Sequence, residues 1–339
     1  MGLDLLNSVV DSAPDNQRIY DALVKCYAEM ETHESIMASI SGGSDSDIML
    51  DMICRCGGRD KTTFVFFDTG LEYGATKRHI EFLNDKYGVG IVVIWPVKAI
   101  PTCVKEYGVP FLSKRVSDYI SRLQRHGFQW EDEPFDVLYA RYPKCKAALR
   151  WWCNKWGEGS QLNIARNSGL KEFLVLNPPE MPISNKCCEY AKKTPAHRFE
   201  QAHGFDMTCS GVRRAEGGTR ATAYSSCFNE SKNGADRFRP LFWLTDKDKA
   251  EYEAHYDVTH SDCYCVWGMT RTGCAGCPYN KRFDDELALV KQYEPKRYKA
   301  LETVFGASYE YTRKYREFQQ NRKAQSTLRE QADGQMRWF

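Results

Sequence analysis

The 339 residues suffice for two domains or one large α/β domain with additions. With 42% hydrophobic, 13% aromatic and 27% charged residues and only 13 prolines, the chain is neither disordered, collagen-like nor of low complexity. Lys and Arg number 47 against 45 Asp and Glu, a formal charge of +2, which excludes a global attraction for nucleic acid; any anion site is local. No run reaches the roughly 18 apolar residues of a membrane helix. The opening Met1-Gly2-Leu3-Asp4-Leu5 lacks a basic stretch followed by an apolar one, so no secretory signal is read. A cytoplasmic location and no membrane association are expected, and in a reducing compartment the fourteen cysteines point to metal or redox chemistry rather than structural disulfides, with the eight outside Cys187, Cys188, Cys263, Cys265, Cys274 and Cys277 read as buried small hydrophobes.

In chain order, Ile19, Leu23, Tyr27 and Met30 form the apolar stripe of a helix over 16–34. A short strand over 35–40 runs into Ser41-Gly42-Gly43-Ser44-Asp45-Ser46, and a helix over 47–56 closes on Gly57-Gly58. Strand 62–67, helix 75–87 and a near-continuous apolar strand 90–95 follow. Strands apolar on both faces and separated by helices predict a buried parallel sheet. Further on, the pattern predicts helices over 116–126 and 143–157, a strand over 172–176, a helix over 187–203 interrupted by Pro195, and a last strand over 206–209. From Asp246 the chain reads as mostly helical around a cysteine-rich loop, 262–278. The expected organisation is an N-terminal helical segment 1–34, an α/β domain 35–245 and a helical C-terminal part 246–339 with a cysteine loop and a basic tail. In the tail, 295–339, ten Lys or Arg face five acidic residues; with the Trp-rich segment 144–156 it is a candidate acceptor surface on which Trp151, Trp152 or Trp156 would stack bases, the plainer reading being a helix packed by its tryptophans into the core and a solvated tail.

The segment 41–46 carries chemistry because of where it falls. After a strand and before a helix, glycines let the backbone approach phosphate oxygens, while successive N–H groups and the helix N-terminus supply positive potential. The spacing is neither that of a Walker loop nor G-x-G-x-x-G. It resembles the S-G-G-x-D-S PP-loop of N-type ATP pyrophosphatases, which implies binding of the pyrophosphate of ATP. Asp68-Thr69-Gly70-Leu71-Glu72, at the end of the next strand, is similar to the D-T-G-x-E signature of the phosphoadenylylsulfate reductase family; Asp68 is a candidate for a ribose hydroxyl or, with Asp45, for Mg2+.

Cys187-Cys188 is paired at a distance with Cys274-Ala275-Gly276-Cys277. Neighbouring thiolates bind different irons of one cubane, whereas both on one tetrahedral zinc are strained, so the four favour a 4Fe-4S cluster. The pair, with the Lys residues and Pro195 after it, resembles the cluster motif of assimilatory adenylylsulfate reductases. A Zn2+ site of Cys263, Cys265, Cys274 and Cys277 is the alternative. Gly211-Val212-Arg213-Arg214-Ala215-Glu216, followed by Arg220, resembles the G-x-R-x-x-E-x-x-x-R segment of the same family, and the planar guanidinium groups of Arg213, Arg214 and Arg220 match nucleotide oxygens two at a time. The stretch 239–248 resembles the family's P-L-x-x-W-x-x-x-D and reads as a helix start capped by Thr245 or Asp246.

Together these resemblances, spanning about 36–282, imply a Rossmann-like (HUP) α/β fold with helices on both faces of a parallel sheet, within the adenine nucleotide alpha hydrolase superfamily. Reductases of this family use a cysteine in a C-terminal tail, and no cysteine follows Cys277 here, whereas the S-G-G-x-D-S loop is complete. The resemblance therefore points to the ATP-dependent iron-sulfur sulfurtransferase branch, similar to the proteins of DNA phosphorothioation. It implies adenylylation of an acceptor with pyrophosphate release, Ser41, Asp45, Ser46 and Arg213 as catalytic residues, and a nucleotide held by Ser41, Gly42, Gly43, Ser44, Asp45, Ser46, Asp68, Thr69, Gly70, Glu72, Arg213, Arg214 and Arg220. The implied cofactors are ATP, Mg2+ and a 4Fe-4S cluster; the implied partners are a sulfur donor such as a cysteine desulfurase and a DNA or RNA acceptor. The rival readings are a sulfonucleotide reductase and a non-enzymatic nucleotide-binding iron-sulfur sensor.

Overall fold

The computed structural model describes residues 2–217 and 223–336, with side chains through residue 325. Arg220 falls outside the described residues. The chain divides into two compact units, Met1–Ala99 with Tyr190–Ala275 and Ile100–Glu189 with Gly276–Phe339.

The first unit is built on a six-stranded sheet. Its strands are β1 (Ile36–Ile40), β2 (Thr62–Phe67), β3 (Val92–Ile94), β4 (Met207–Ser210), β5 (Phe228–Asn229) and β6 (Asp236–Phe238), ordered β3-β2-β1-β4-β6-β5. All neighbours are parallel except β5 and β6. Side chains alternate across β1: Ile36, Ala38 and Ile40 enter one core with Ile19 and Leu23 of α2 (Gln17–Thr32) and Ile48 and Met52 of α3 (Ser44–Arg55), the helix preceded in the chain by α1 (Gly2–Asp11) and α2. Met37 points the other way, into a smaller cluster with Val65, Phe205 and Ala235, against which Phe199 of the helix Thr194–His203 packs. Both faces of the sheet are therefore covered, which is why its central strands read as continuous apolar runs.

Strand β3 departs from that reading. It is three residues long, bonded only to β2, and leaves Val92 and Val93 36% and 43% exposed, because it lies at the sheet edge. Pro195 does not interrupt a helix but sits in the first turn of Thr194–His203, where its missing N–H costs no bond; a π-helical turn, Glu189–Lys193, precedes it.

The second unit is helical: Ile100–Tyr107, Lys114–Arg125, Phe135–Arg141, Lys146–Trp152, Leu170–Leu176, Phe283–Tyr293 and Pro295–Met336 are its main elements. Its core is aromatic, with Phe111, Trp151, Trp152, Phe173, Tyr311 and Tyr315 buried together. Two expectations change here. Residues 172–176 lie in a helix, not a strand, since Leu170, Phe173 and Leu174 bury one helical face and Gly169 (φ 69°) turns the chain into it. The helix expected over 143–157 shrinks to a 3-10 turn, Pro143–Cys145, and Lys146–Trp152. Trp151 and Trp152 are 1% and 0% exposed, so they are core residues and offer no face for a base to stack on. Among the described residues no helix is long and apolar enough to cross a membrane.

The strand order reverses direction at one point of the first unit. From β1 the chain steps outward to β2 and β3, whereas β4 returns to the opposite side of β1 and leads on to β6. Loops leaving the carboxyl ends of β1 and β4 therefore diverge, and that reversal point is where open α/β sheets bind their ligands.

Candidate functional site

The loop after β1 is shaped by glycine and by one hydroxyl. Gly42 has φ +65°, and a Cβ there would lie 2.7 Å from Thr76 Cγ2 of α4 (Gly74–Tyr87), so no side chain fits. Gly43 is the N-cap of α3. The Ser46 hydroxyl donates to the Gly43 carbonyl at 2.7 Å and accepts the Ser41 and Gly43 N–H groups, each at 3.2 Å. Ser46 thus folds the loop onto the first turn of the helix, taking up the Ser41 and Gly43 amides itself, and shapes a glycine bend at a helix N-terminus, a place that receives anions. From β4, Gly211 meets this turn so closely that a Cβ would lie 2.8 Å from the Asp45 carbonyl oxygen.

Between the two loops lies a cleft of about 400 Å³, lined by Ser41, Gly43, Ser44, Asp45 and Ser46 on one side, by Ser210, Gly211, Val212, Arg213 and Glu216 on another, and by Lys249, Tyr264, Thr270, Arg271 and Thr272. Arg213 is buried; its Nε donates to Asp45 Oδ1 at 2.9 Å and its other arm to Asp246 Oδ1 at 2.9 Å. Lys249 Nζ sits 2.9 Å from the same Asp45 oxygen and bonds the Ser44 hydroxyl. Asp45 is therefore held between two cations at the mouth of the bend. Arg214 lies elsewhere, over the Trp243 ring at 5.5 Å. Sequence reasoning missed Lys249, Tyr264, Arg271 and Thr272; the only local signal was the run Thr270-Arg271-Thr272 ahead of Gly273-Cys274.

The turn after β2 is tied by its own side chains. Asp68 accepts the Gly70 N–H at 2.8 Å and pairs with Lys77 Nζ at 2.6 Å, while Gly70 takes φ 80°. Thr69 donates to Glu72 Oε1 at 2.9 Å, and the same Glu72 oxygen lies 3.3 Å from Lys192 Nζ. The Leu71 carbonyl accepts the Ala275 N–H at 2.7 Å, which sets Cys274 Sγ 3.5 Å from the Thr69 hydroxyl. Asp45 and Asp68, the carboxylates expected to contact Mg2+, are paired here with Arg213 and Lys249 and with Lys77.

Cys274 belongs to the first unit; Cys187, Cys188 and Cys277 belong to the second. In the second unit burial, together with the thiols of Cys187, Cys188 and Cys277, pushes the phenol of Tyr279 well above its usual range. The turn that carries Cys277 is braced by Glu286, which accepts the Gly276 N–H at 2.9 Å and whose carboxyl burial pushes up to about 7, and by Tyr309, which donates to the Gly276 carbonyl. Thiolates of this number suit a soft metal or an iron-sulfur cluster. Among the described residues no three or more His, Cys, Asp or Glu side chains are gathered tightly enough to hold a metal ion. Cys263 is buried beside Thr76, and Cys265 is exposed with its thiol on the His260 carbonyl. A larger cavity of about 840 Å³ in the second unit is lined by Arg122, Arg125, Lys144, Glu180 and Lys186 among others and contains none of the motif residues. In the tail, Arg313 and Arg316 pair with Asp284 and Arg322 with Glu172, which spends part of its positive surplus locally.

A mostly parallel sheet with an S-G-G-x-D-S loop at its reversal point is the architecture of the PP-loop, adenine nucleotide alpha hydrolase class. The phosphoadenosine phosphosulfate reductase domain matches residues 35–123 and 161–280, more than half of the chain, and the protein belongs to that family. An uncharacterized protein of Methanocaldococcus jannaschii is 33% identical over 94 residues, which are 26% of this chain and 18% of that protein. The matched stretch thus spans less than a fifth of the curated relative. Among solved structures, the chain is similar to phosphoadenylyl-sulfate (PAPS) reductase from Candida auris in its phosphate complex, at 14% identity and TM-score 0.42, covering 80% of this chain and 93% of that one. It is also similar to the U34-tRNA thiolase NcsA of Methanococcus maripaludis with its [4Fe-4S] cluster, at 10% identity and TM-score 0.36, covering 88% and 78%. The NH3-dependent NAD synthetase of Campylobacter jejuni, in complex with nitrate, aligns at 8% identity and TM-score 0.36, covering 92% and 96%.

Proposed function

We propose that this protein is an ATP-dependent sulfurtransferase-type enzyme that adenylylates an acceptor with release of pyrophosphate. The observation that carries the reading is the cleft itself: a glycine bend leading into a helix N-terminus at the sheet reversal, walled by cations, with no cysteine among its described lining residues. An acceptor oxygen attacks the α-phosphorus, the bond to the bridging oxygen breaks, and pyrophosphate leaves with the electron pair. The helix N-terminus at loop 41–46 receives the charge that develops on the departing group, and it does so without reorganising because Ser46 and Gly42 already hold the loop in shape. Arg213 keeps Asp45 at the edge of the bend, and the Asp68 turn closes the neighbouring strand end. Cys187, Cys188, Cys274 and Cys277 would hold a 4Fe-4S cluster, which when bound supplies a site for the sulfur that displaces the adenylyl group. The acceptor class we favour is nucleic acid, with sulfur drawn from a cysteine desulfurase.

Membership of the reductase family favours one second reading, reduction of a sulfonucleotide. The test is anaerobic protein offered ATP with RNA, DNA or small acceptors, and separately offered phosphoadenylylsulfate. Acceptor-dependent pyrophosphate release supports the proposal; sulfite release with no pyrophosphate from ATP replaces it with the reductase.

A further inference from the structure

Behind the cleft runs a line of charges that the motifs do not account for, half-buried at Lys249, Glu253 and His260 and buried at Asp47. Glu253 Oε1 lies 3.7 Å from Lys249 Nζ and 2.8 Å from His260 Nε2. The other ring nitrogen of His260 is 2.8 Å from Asp47 Oδ2, and that same oxygen is 3.0 Å from His79 Nε2. Asp47 is fully buried and its second oxygen has no hydrogen-bond partner, so its charge is answered by the two imidazoles alone. A neutral imidazole has one N–H; His260 faces a carboxylate oxygen with each nitrogen and satisfies both only as the imidazolium. The order inward from the cleft is then Asp45 negative, Lys249 positive, Glu253 negative, His260 positive, Asp47 negative.

Glu253 has one oxygen shared between two cations. The imidazolium, nearer and in hydrogen-bond contact, claims it; Lys249 is left at 3.7 Å and reaches the other way, to Asp45 and the Ser44 hydroxyl at the start of α3. Without the imidazolium, the uncompensated carboxylate would draw the ammonium back along the helix, four residues on and in ion-pair range. We infer that Lys249 is a catalytic residue that contacts the nucleotide's phosphates, and that His260 is a positioning residue that keeps Lys249 in the cleft by occupying Glu253. This rests on the nucleotide reading of the cleft given above. It adds a cation supplied by a helix more than 200 residues beyond the loop it serves.

The experiment is titration of ATP and of inorganic pyrophosphate into the full chain at pH 7.5, with folding checked by circular dichroism. Lys249→Met should weaken both ligands about tenfold or more, the loss of one charge-assisted hydrogen bond to phosphate. His260→Gln should weaken them in the same direction and raise KM for ATP more than it lowers kcat. Adding Glu253→Gln to His260→Gln should recover most of the lost affinity, because the rival carboxylate is gone; a merely structural His260 would give a further loss. Adding His260→Gln to Lys249→Met should change nothing more. A folded His260→Gln protein with the parent affinity, or a Glu253→Gln/His260→Gln double variant weaker than His260→Gln, overturns the inference, and if His260→Gln does not fold, parent affinity in Lys249→Met does so. Parent protein that binds neither ATP nor pyrophosphate instead overturns the nucleotide reading beneath it.

Discussion

The stability of the first unit should fall at alkaline pH through a single imidazole. Burial alone would lower the His260 pKa, but its hydrogen bonds and charge contacts with Asp47 and Glu253 outweigh burial and push it up from 6.5 to about 9. The groups that face it are Asp47 from α3, with His79 of α4 on the same carboxylate, Glu253 and through it Lys249 from the helix Asp246–Tyr256, the Tyr264 ring 5.8 Å away, and the Cys265 thiol on its carbonyl. A group whose folded pKa is raised contributes stability that is complete below the unfolded value and is lost as pH climbs through the folded one. The window is therefore 6.5 to about 9. At ~1.36 kcal/mol per pH unit the full effect is about 3 kcal/mol, undiminished by screening because the side chain is only 12% exposed. Urea unfolding of the parent and His260→Gln proteins between pH 6 and pH 10 isolates it from other titrations. The parent should lead by about 3 kcal/mol at the acid end, and the gap should close toward zero at the alkaline end. A gap that does not change with pH would mean the folded ring is neutral, and one that widens with pH would reverse the sign; either refutes the charge order assigned to this line.

Two further outcomes are expected. Gly42→Ala forces a side chain into the left-handed region, at ~1–2 kcal/mol, and against Thr76, so pyrophosphate release from ATP should be abolished while the circular dichroism spectrum is kept; turnover at the parent rate would show that the loop does not need this bend. Anaerobically prepared protein should carry about four irons per chain, and Cys277→Ser should lower iron and sulfide together. Stoichiometric zinc without iron in the parent protein would instead select the zinc alternative.

What the sequence made legible was local. The strand, glycine bend and helix of 36–55 are contiguous, and the bend chemistry belongs to the residues in the bend, so loop and first helix could be read directly. Residues 172–176 could not be read that way: a string of Phe, Leu, Val and Leu fits a buried strand as well as a short helix, and the choice is made by Tyr311 and Tyr315 packing onto Phe173. The apolar run at 90–95 hid the fact that its strand has one neighbour rather than two. Trp151 and Trp152, read as a base-stacking face, carry the same letters whether they line a surface or fill a core. Within the site, Arg213 was visible as an arginine in a motif, but its engagement with Asp45 and Asp246 depends on residues 168 positions before it and 33 after it. Lys249 has no motif at all, and only the folded helix brings it to Ser44 and Asp45.

The contact of Gly211 with the backbone of Asp45 makes one wall of the cleft incompressible and the other adjustable. Strand β4 and the first turn of α3 meet backbone to backbone, and any side chain at 211 would lever the turn outward and swing its amides off the cleft. The facing wall is made of side chains and loop, Tyr264 with Thr272 and Arg271. On the proposed function, substrates of different bulk are expected to be accommodated by changes on the 264–272 side, with the loop of 41–46 left as it is. On the same proposal the segment that would select the acceptor ends two residues from Cys274, so that changes in acceptor preference and changes around that thiol are expected to arise together.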